Sequence, residues 1–119
     1  MLNRRVFWIS LCLLIWFVVL AGMFAPKAMV DPFEANQFDK LLHSGALMAM
    51  IVSARLALSW SLRPWFWAAA VFLAFALEAL QPIVQSSRQF NGMDVVANLV
   101  GVLIAALALW LAGLSKRVV

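Results

Sequence analysis

Charge is scarce in this chain. Of its 119 residues, 12% are Asp, Glu, Lys or Arg, while 66% are hydrophobic. Both values lie far from those of soluble proteins, and a unit of this length cannot hide so much apolar surface from water. A water-soluble globular fold is thereby excluded, and a bilayer is the expected solvent. There is one cysteine, Cys12, so an internal disulfide and a Cys-based metal motif are excluded. Cys12 lies inside an apolar run and reads as a small apolar helix residue. The chain has no Ser or Cys nucleophile elbow and no glycine-rich phosphate loop, which argues against a covalent Ser or Cys mechanism. There is no internal repeat and no low-complexity segment. The net charge of +4 is not gathered in one basic patch, so nucleic acid is not an expected partner.

What the chain does have is four apolar stretches, at residues 6–24, 41–59, 64–80 and 93–113. Each approaches the roughly 20 residues that cross a bilayer core as helix. In lipid the backbone must satisfy its own hydrogen bonds, which favours helices over an open sheet. The first stretch follows Asn3-Arg4-Arg5, but it is too long and too apolar for a cleaved signal and reads as a retained helix. The expected fold is all-α: one domain over residues 1–119, a four-helix transmembrane bundle.

The connections carry polar and turn-forming residues. Residues 25–40 hold Pro26, Pro32 and three acids. Residues 60–63 form a tight turn before Pro64, a residue suited to the first turn of a helix. Residues 82–92 include Asn91-Gly92, a turn signal, and Pro82 is expected to end or kink the third helix. Four crossings put Arg4, Arg5, Arg55, Arg63, Lys116 and Arg117 on one side. Lys27, Lys40, Arg88 and all five acids, Asp31, Glu34, Asp39, Glu78 and Asp94, fall on the other. The excess of Lys and Arg marks the first side as cytoplasmic. Both termini are therefore expected in the cytoplasm and the two longer loops outside, in a multi-pass membrane protein. Trp8, Trp60, Trp65, Trp67 and Trp110 fit crossing ends. Trp16 does not, and is expected to be packed or lipid-facing. Small residues recur every four positions at Ala97, Gly101 and Ala105, and at Gly45, Ala49, Ser53 and Ala57. Such stripes let helices approach closely, so the second and fourth helices are expected to pack on each other or to dock a protein partner.

The polar residues gather at the outer end. Asp39 and His43 share a helix face, with Lys40 beside them. Glu78 and Gln81 share a face at the end of the third helix, and Asp94 and Asn98 at the start of the fourth. Arg88 lies in the loop between. Glu78 and Asn98 are embedded in apolar sequence, where an ionisable or polar group needs a partner and marks a functional site by default.

This constellation permits three uses. Lys40, His43 and Arg88 are donors suited to a phosphate or carboxylate. Asp39, His43, Glu78 and Asp94 offer N and O ligands, but the spacings form no established metal signature, so neither a metal nor a cofactor is expected. His43 with Glu78 or Asp94 could serve acid–base catalysis on a lipid-linked substrate. The polar groups could also simply tie helix ends together.

At these residues the chain resembles the VanZ-like family of small bacterial membrane proteins. The matching pieces are Asp39-Lys40-x-x-His43, Glu78-x-x-Gln81 and Arg88-x5-Asp94-x3-Asn98-x-x-Gly101, which span more than half of the chain. The resemblance implies four crossings and a cell-envelope role; the family's founding member is associated with low-level glycopeptide resistance. The sequence departs from the family at Leu47, where a Tyr often stands one turn after the motif His. The leading expectation is a protein that binds an anionic or lipid-linked envelope component through Asp39, Lys40, His43, Glu78, Gln81, Arg88, Asp94 and Asn98. The alternatives are an enzyme acting on a lipid-linked phosphate, with His43, Glu78 and Asp94 as candidate catalytic groups, and a non-catalytic subunit of a larger membrane protein.

Overall fold

The computed structural model describes residues 3–30, 38–58 and 64–113, apart from the side chains of Lys27, Val30 and Pro64. Trp60, Arg63, Asp31, Glu34, Lys116 and Arg117 lie outside the described residues, as does the turn at 60–63. The described residues form four long helices and one single turn: α1 (Arg4–Met23), α2 (Lys27–Val30), α3 (Phe38–Ala57), α4 (Pro64–Val84) and α5 (Gly92–Leu111). No strand occurs among them.

Local chemistry explains the helix boundaries. Asn3 caps α1 by accepting from Arg5 N, and Asn91 caps α5 by accepting from Met93 N, both at 2.9 Å. The Asn91-Gly92 pair thus starts a helix rather than merely turning the chain. At the far end of α5, Gly113 takes a positive φ of 71°, and its N–H donates to Trp110 O at 3.0 Å. A glycine adopts that left-handed conformation without a Cβ penalty. Pro82 does not end α4: the helix runs on to Val84, and Gln85 N donates to Gln81 O at 2.8 Å. A proline in the last turn removes a single intrahelical hydrogen bond, the one back to residue 78, and leaves the rest of the helix intact.

The outer surfaces of α1, α4 and α5 are apolar. Phe17, Phe72, Leu103 and Leu111 are among many large side chains that face outward. Exposure on this scale is what lipid-facing helices present. Three helices, Arg4–Met23, Trp65–Val84 and Gly92–Leu111, are long and apolar enough to cross a membrane. The second of the four expected spans, α3, is equally long but less apolar, because Asp39, Lys40, His43, Ser44, Ser53 and Arg55 interrupt it.

That polar helix lies innermost. α3 packs most extensively on α5 and next on α1, while α4 packs on α5. Leu47, Met50, Ala74 and Ala105 are wholly buried between these helices. Trp16 belongs to the α1–α3 interface, where its indole N–H donates to Met50 O at 3.0 Å. Arg55, which the sequence suggested as a flanking charge, is buried.

The α5 stripe of Ala97, Gly101 and Ala105 is buried within the chain. A Cβ on Gly101 would lie 2.3 Å from Ser44 O, so the backbones of α3 and α5 approach there too closely to admit a side chain. The α3 stripe behaves differently. A Cβ at Gly45 would meet nothing within 4 Å, and Ser44 and Leu47 make the contact with Gly101 instead.

Candidate functional site

The end of α1, the start of α3, the end of α4 and the start of α5 meet at one end of the bundle. Hydrogen bonds between sequence-distant residues fix this level. The Ser44 hydroxyl in α3 donates to Ala97 O in α5 at 2.8 Å. Asn91 N, at the start of α5, donates to Glu78 Oε1 in α4 at 3.0 Å. Gln81 Nε2 in α4 donates to Met23 O in α1 at 2.7 Å.

Two groups form there. The first joins α3 to α5. The Lys40 ammonium contacts Asp39 Oδ2 at 3.0 Å and also Asp94 Oδ1. His43 lies on the other side of the same two carboxylates, its Nε2 at 3.5 Å from Asp39 Oδ1 and 3.6 Å from Asp94 Oδ2. Its Nδ1 is 3.1 Å from Asn98 Oδ1. Asn98 Nδ2 donates in turn to Ala74 O at 3.0 Å. A carbonyl only accepts, so the Asn98 amide must present its oxygen to His43, and Nδ1 is the donor. The neutral ring then carries its lone pair on Nε2, facing Asp39 and Asp94. Asn98 is wholly buried, and this arrangement satisfies both ends of its amide.

Lys40 precedes the apolar part of α3, and its side chain is 37% exposed. Burial acts to lower its pKa, but the hydrogen bonds and charges of Asp94 and Asp39 outweigh that and raise it above the ordinary lysine value. Lys40 is therefore a fixed cation, the most accessible member of the group.

The second group ties α4 and its following loop to α1. Arg88 Nε donates to Ala25 O and Nη2 to Gly22 O, both at 3.2 Å. With the Gln81 bond to Met23 O, this satisfies carbonyls at the C-terminal end of α1 that no further helical turn can reach. The positive guanidinium also suits the negative end of that helix dipole. Glu78 sits between the two groups. It is wholly buried, holds the start of α5 through Asn91 N, and leaves Oε2 without a hydrogen-bond partner among the described residues.

The structure thus brings Asp39, Lys40, His43, Asp94 and Asn98 into one cluster with Glu78 beside it. It places Gln81 and Arg88 against α1. Sequence reasoning missed Ser44, Ala74 O and Asn91. Asn91 had a signal, because it stands three residues before Asp94 at the position of a helix cap. No protein-family model, curated protein or solved structure matches the chain.

Proposed function

We propose that this chain is a multi-pass protein of the bacterial inner membrane, of the VanZ-like kind, that binds an anionic or lipid-linked envelope component at the polar end of its bundle. In this reading α3 is the fourth crossing, sheltered by its neighbours, and both termini are cytoplasmic. The polar end then lies at headgroup depth on the outer face. One observation carries the reading: at one end of an otherwise apolar bundle, Asp39, Lys40, His43, Asp94 and Asn98 converge from two helices whose polar residues lie more than 50 positions apart. Polar groups in such a place are expensive and serve recognition, transport or chemistry by default. Lys40, the exposed cation, meets the anion. His43 and the carboxylates orient it and contact sugar or amine groups of the same headgroup.

The test is native mass spectrometry of the gently purified protein beside Lys40→Ala and Asp94→Asn. A defined lipid retained by the wild type and lost from both variants is the expected result. Identical lipid content in all three folded proteins would overturn the reading.

A second reading is favoured by the tautomer of His43. An imidazole whose Nδ1–H is held by a buried amide presents Nε2 as a base, as acid–base catalysis on a lipid-linked phosphate requires. Turnover by the purified protein, lost in His43→Ala, would distinguish an enzyme from a binding protein.

A further inference from the structure

We propose that Asp39, His43 and Asp94 form a divalent-cation site, suited to Zn2+ or a similar first-row ion. The two carboxylates divide their oxygens. Asp39 Oδ2 and Asp94 Oδ1 belong to Lys40, whereas Asp39 Oδ1 and Asp94 Oδ2 face His43 Nε2. The distances on the histidine side, 3.5 and 3.6 Å, are too long for charge-assisted hydrogen bonds, which close to about 2.8 Å. They suit the edge of a metal shell instead: ligand atoms held about 2.1 Å from a tetrahedral Zn2+ stand about 3.4 Å apart. Ligand atoms of all three residues lie within 4.8 Å of one another.

Two further features point to a cation. His43 is set up as a neutral ligand, because Asn98 holds the proton on Nδ1 and Ala74 O holds Asn98. Metal-bound histidines are oriented by such an outer partner, which fixes the ring and its tautomer. Its Nε2 then faces Asp39 Oδ1 and Asp94 Oδ2, and a cation seated between these three atoms would be bound by all of them. Independently, the buried Glu78 has an oxygen with no hydrogen-bond partner among the described residues and interacts electrostatically with Asp94, His43 and Asp39. Glu78 thus adds a third carboxyl beside the two that flank His43. Lys40 need not move, because it holds the opposite oxygens. Spacing along the chain gave no metal signature because the ligands come from two helices, 51 positions apart at their nearest. Three protein ligands leave a fourth position open for water or a phosphate oxygen. The phosphate would come from the headgroup proposed above, while the cation site itself does not depend on that headgroup.

The test uses the full chain in mild detergent, stripped with chelator and titrated with Zn2+ by calorimetry. The wild type is expected to take up one Zn2+ per chain. His43→Ala and Asp94→Asn abolish binding, Asn98→Ala weakens it by about 10- to 100-fold, and Lys40→Gln retains it. Co2+ added to the stripped wild type should give the absorption of a low-symmetry N/O site, a readout that needs no variant to fold. Absence of saturable Zn2+ binding by the wild type, or binding that survives both ligand substitutions, overturns the proposal. Lipid retention scored on the same samples separates the two ideas. Bound lipid without Zn2+ uptake sinks the cation site and spares the headgroup reading, whereas Zn2+ uptake without bound lipid does the reverse.

Discussion

Replacing Gly101 with alanine should loosen the bundle at its tightest point. The new Cβ would lie 2.3 Å from Ser44 O and 3.0 Å from Leu47 Cβ. Carbon–oxygen contacts between helices ordinarily close to about 3.3 Å, so α3 and α5 must separate by about 1 Å. The obstacle is a backbone carbonyl inside a helix, which cannot rotate aside as a flexible side chain would. Overpacking of this kind costs about 1–3 kcal/mol. The same separation strains the Ser44–Ala97 and His43–Asn98 hydrogen bonds, each worth about 1 kcal/mol. A total of about 2–4 kcal/mol is therefore expected for Gly101→Ala. Gly45→Ala is the matched control, because its Cβ meets nothing within 4 Å, and its effect should stay within about 0.5 kcal/mol. Both are read by denaturant unfolding in one detergent, followed by far-ultraviolet circular dichroism. A Gly101→Ala protein within about 0.5 kcal/mol of the wild type would refute the reasoning, as would equal losses at the two glycines.

Three other outcomes follow from the same geometry. Arg88→Ala should destabilise the chain by about 1.5–3 kcal/mol and raise hydrogen exchange at the C-terminal turn of α1, because charged hydrogen bonds to Gly22 O and Ala25 O are lost; Arg88→Lys should not restore it, since one ammonium lacks the guanidinium fork, and unchanged exchange would count against this role. The Lys40 pKa is raised on folding, so its stabilisation is fully present below the ordinary value of 10.5 and fades as pH rises through the folded value; wild type should exceed Lys40→Met by under about 1 kcal/mol near neutrality, given its exposed side chain, and a gap that grows above that pH would contradict the sign. In a Cys12→Ala background, Ser86→Cys should react with a membrane-impermeant maleimide on intact cells, whereas labelling only after permeabilisation would invert the proposed orientation.

Much of the fold was legible through a simple rule: about 20 apolar residues in succession make a helix long enough to span a bilayer. That rule located α1, α4 and α5 to within a few residues. It located α3 as closely, at 41–59 against Phe38–Ala57, although α3 is the least apolar of the four, and it did not foresee α4 running past Pro82. Apolarity measures what faces lipid, and α3 turns its polar residues inward, so its sequence looks least like a span. Proline rules describe an average helix interior, and α4 tolerates Pro82 because its final turn has few hydrogen bonds left to lose. The convergence of Asp39, His43, Asp94 and Asn98 was also legible, since alternating helices bring those ends to one level. Their division of labour was not. Helical spacing brings Glu78 and Gln81 onto one face, but it does not reveal that Gln81 reaches to Met23 O while Glu78 holds Asn91 N. Nor does it reveal that Arg88 satisfies the end of α1, because unsatisfied carbonyls are properties of a terminus and leave no mark in residue type.

The burial of α3 and the location of the cluster have a common cause. Asp39, Lys40, His43 and Arg55 would each be costly on a helix surrounded by lipid, by about 2.5–3.5 kcal/mol for a charged residue at mid-membrane and less toward the ends. Packing α3 between α1 and α5 removes most of that exposure, and α5 answers with Asp94 and Asn98 at the level where α3 is most polar. The close approach at Gly101, one turn below, brings the two helices near enough for those side chains to meet. A bulkier residue there would open the cluster before it disturbed any apolar contact farther along the bundle. Close packing and polar chemistry are thus one feature of this interface, and Gly101 belongs to the site although it carries no functional group.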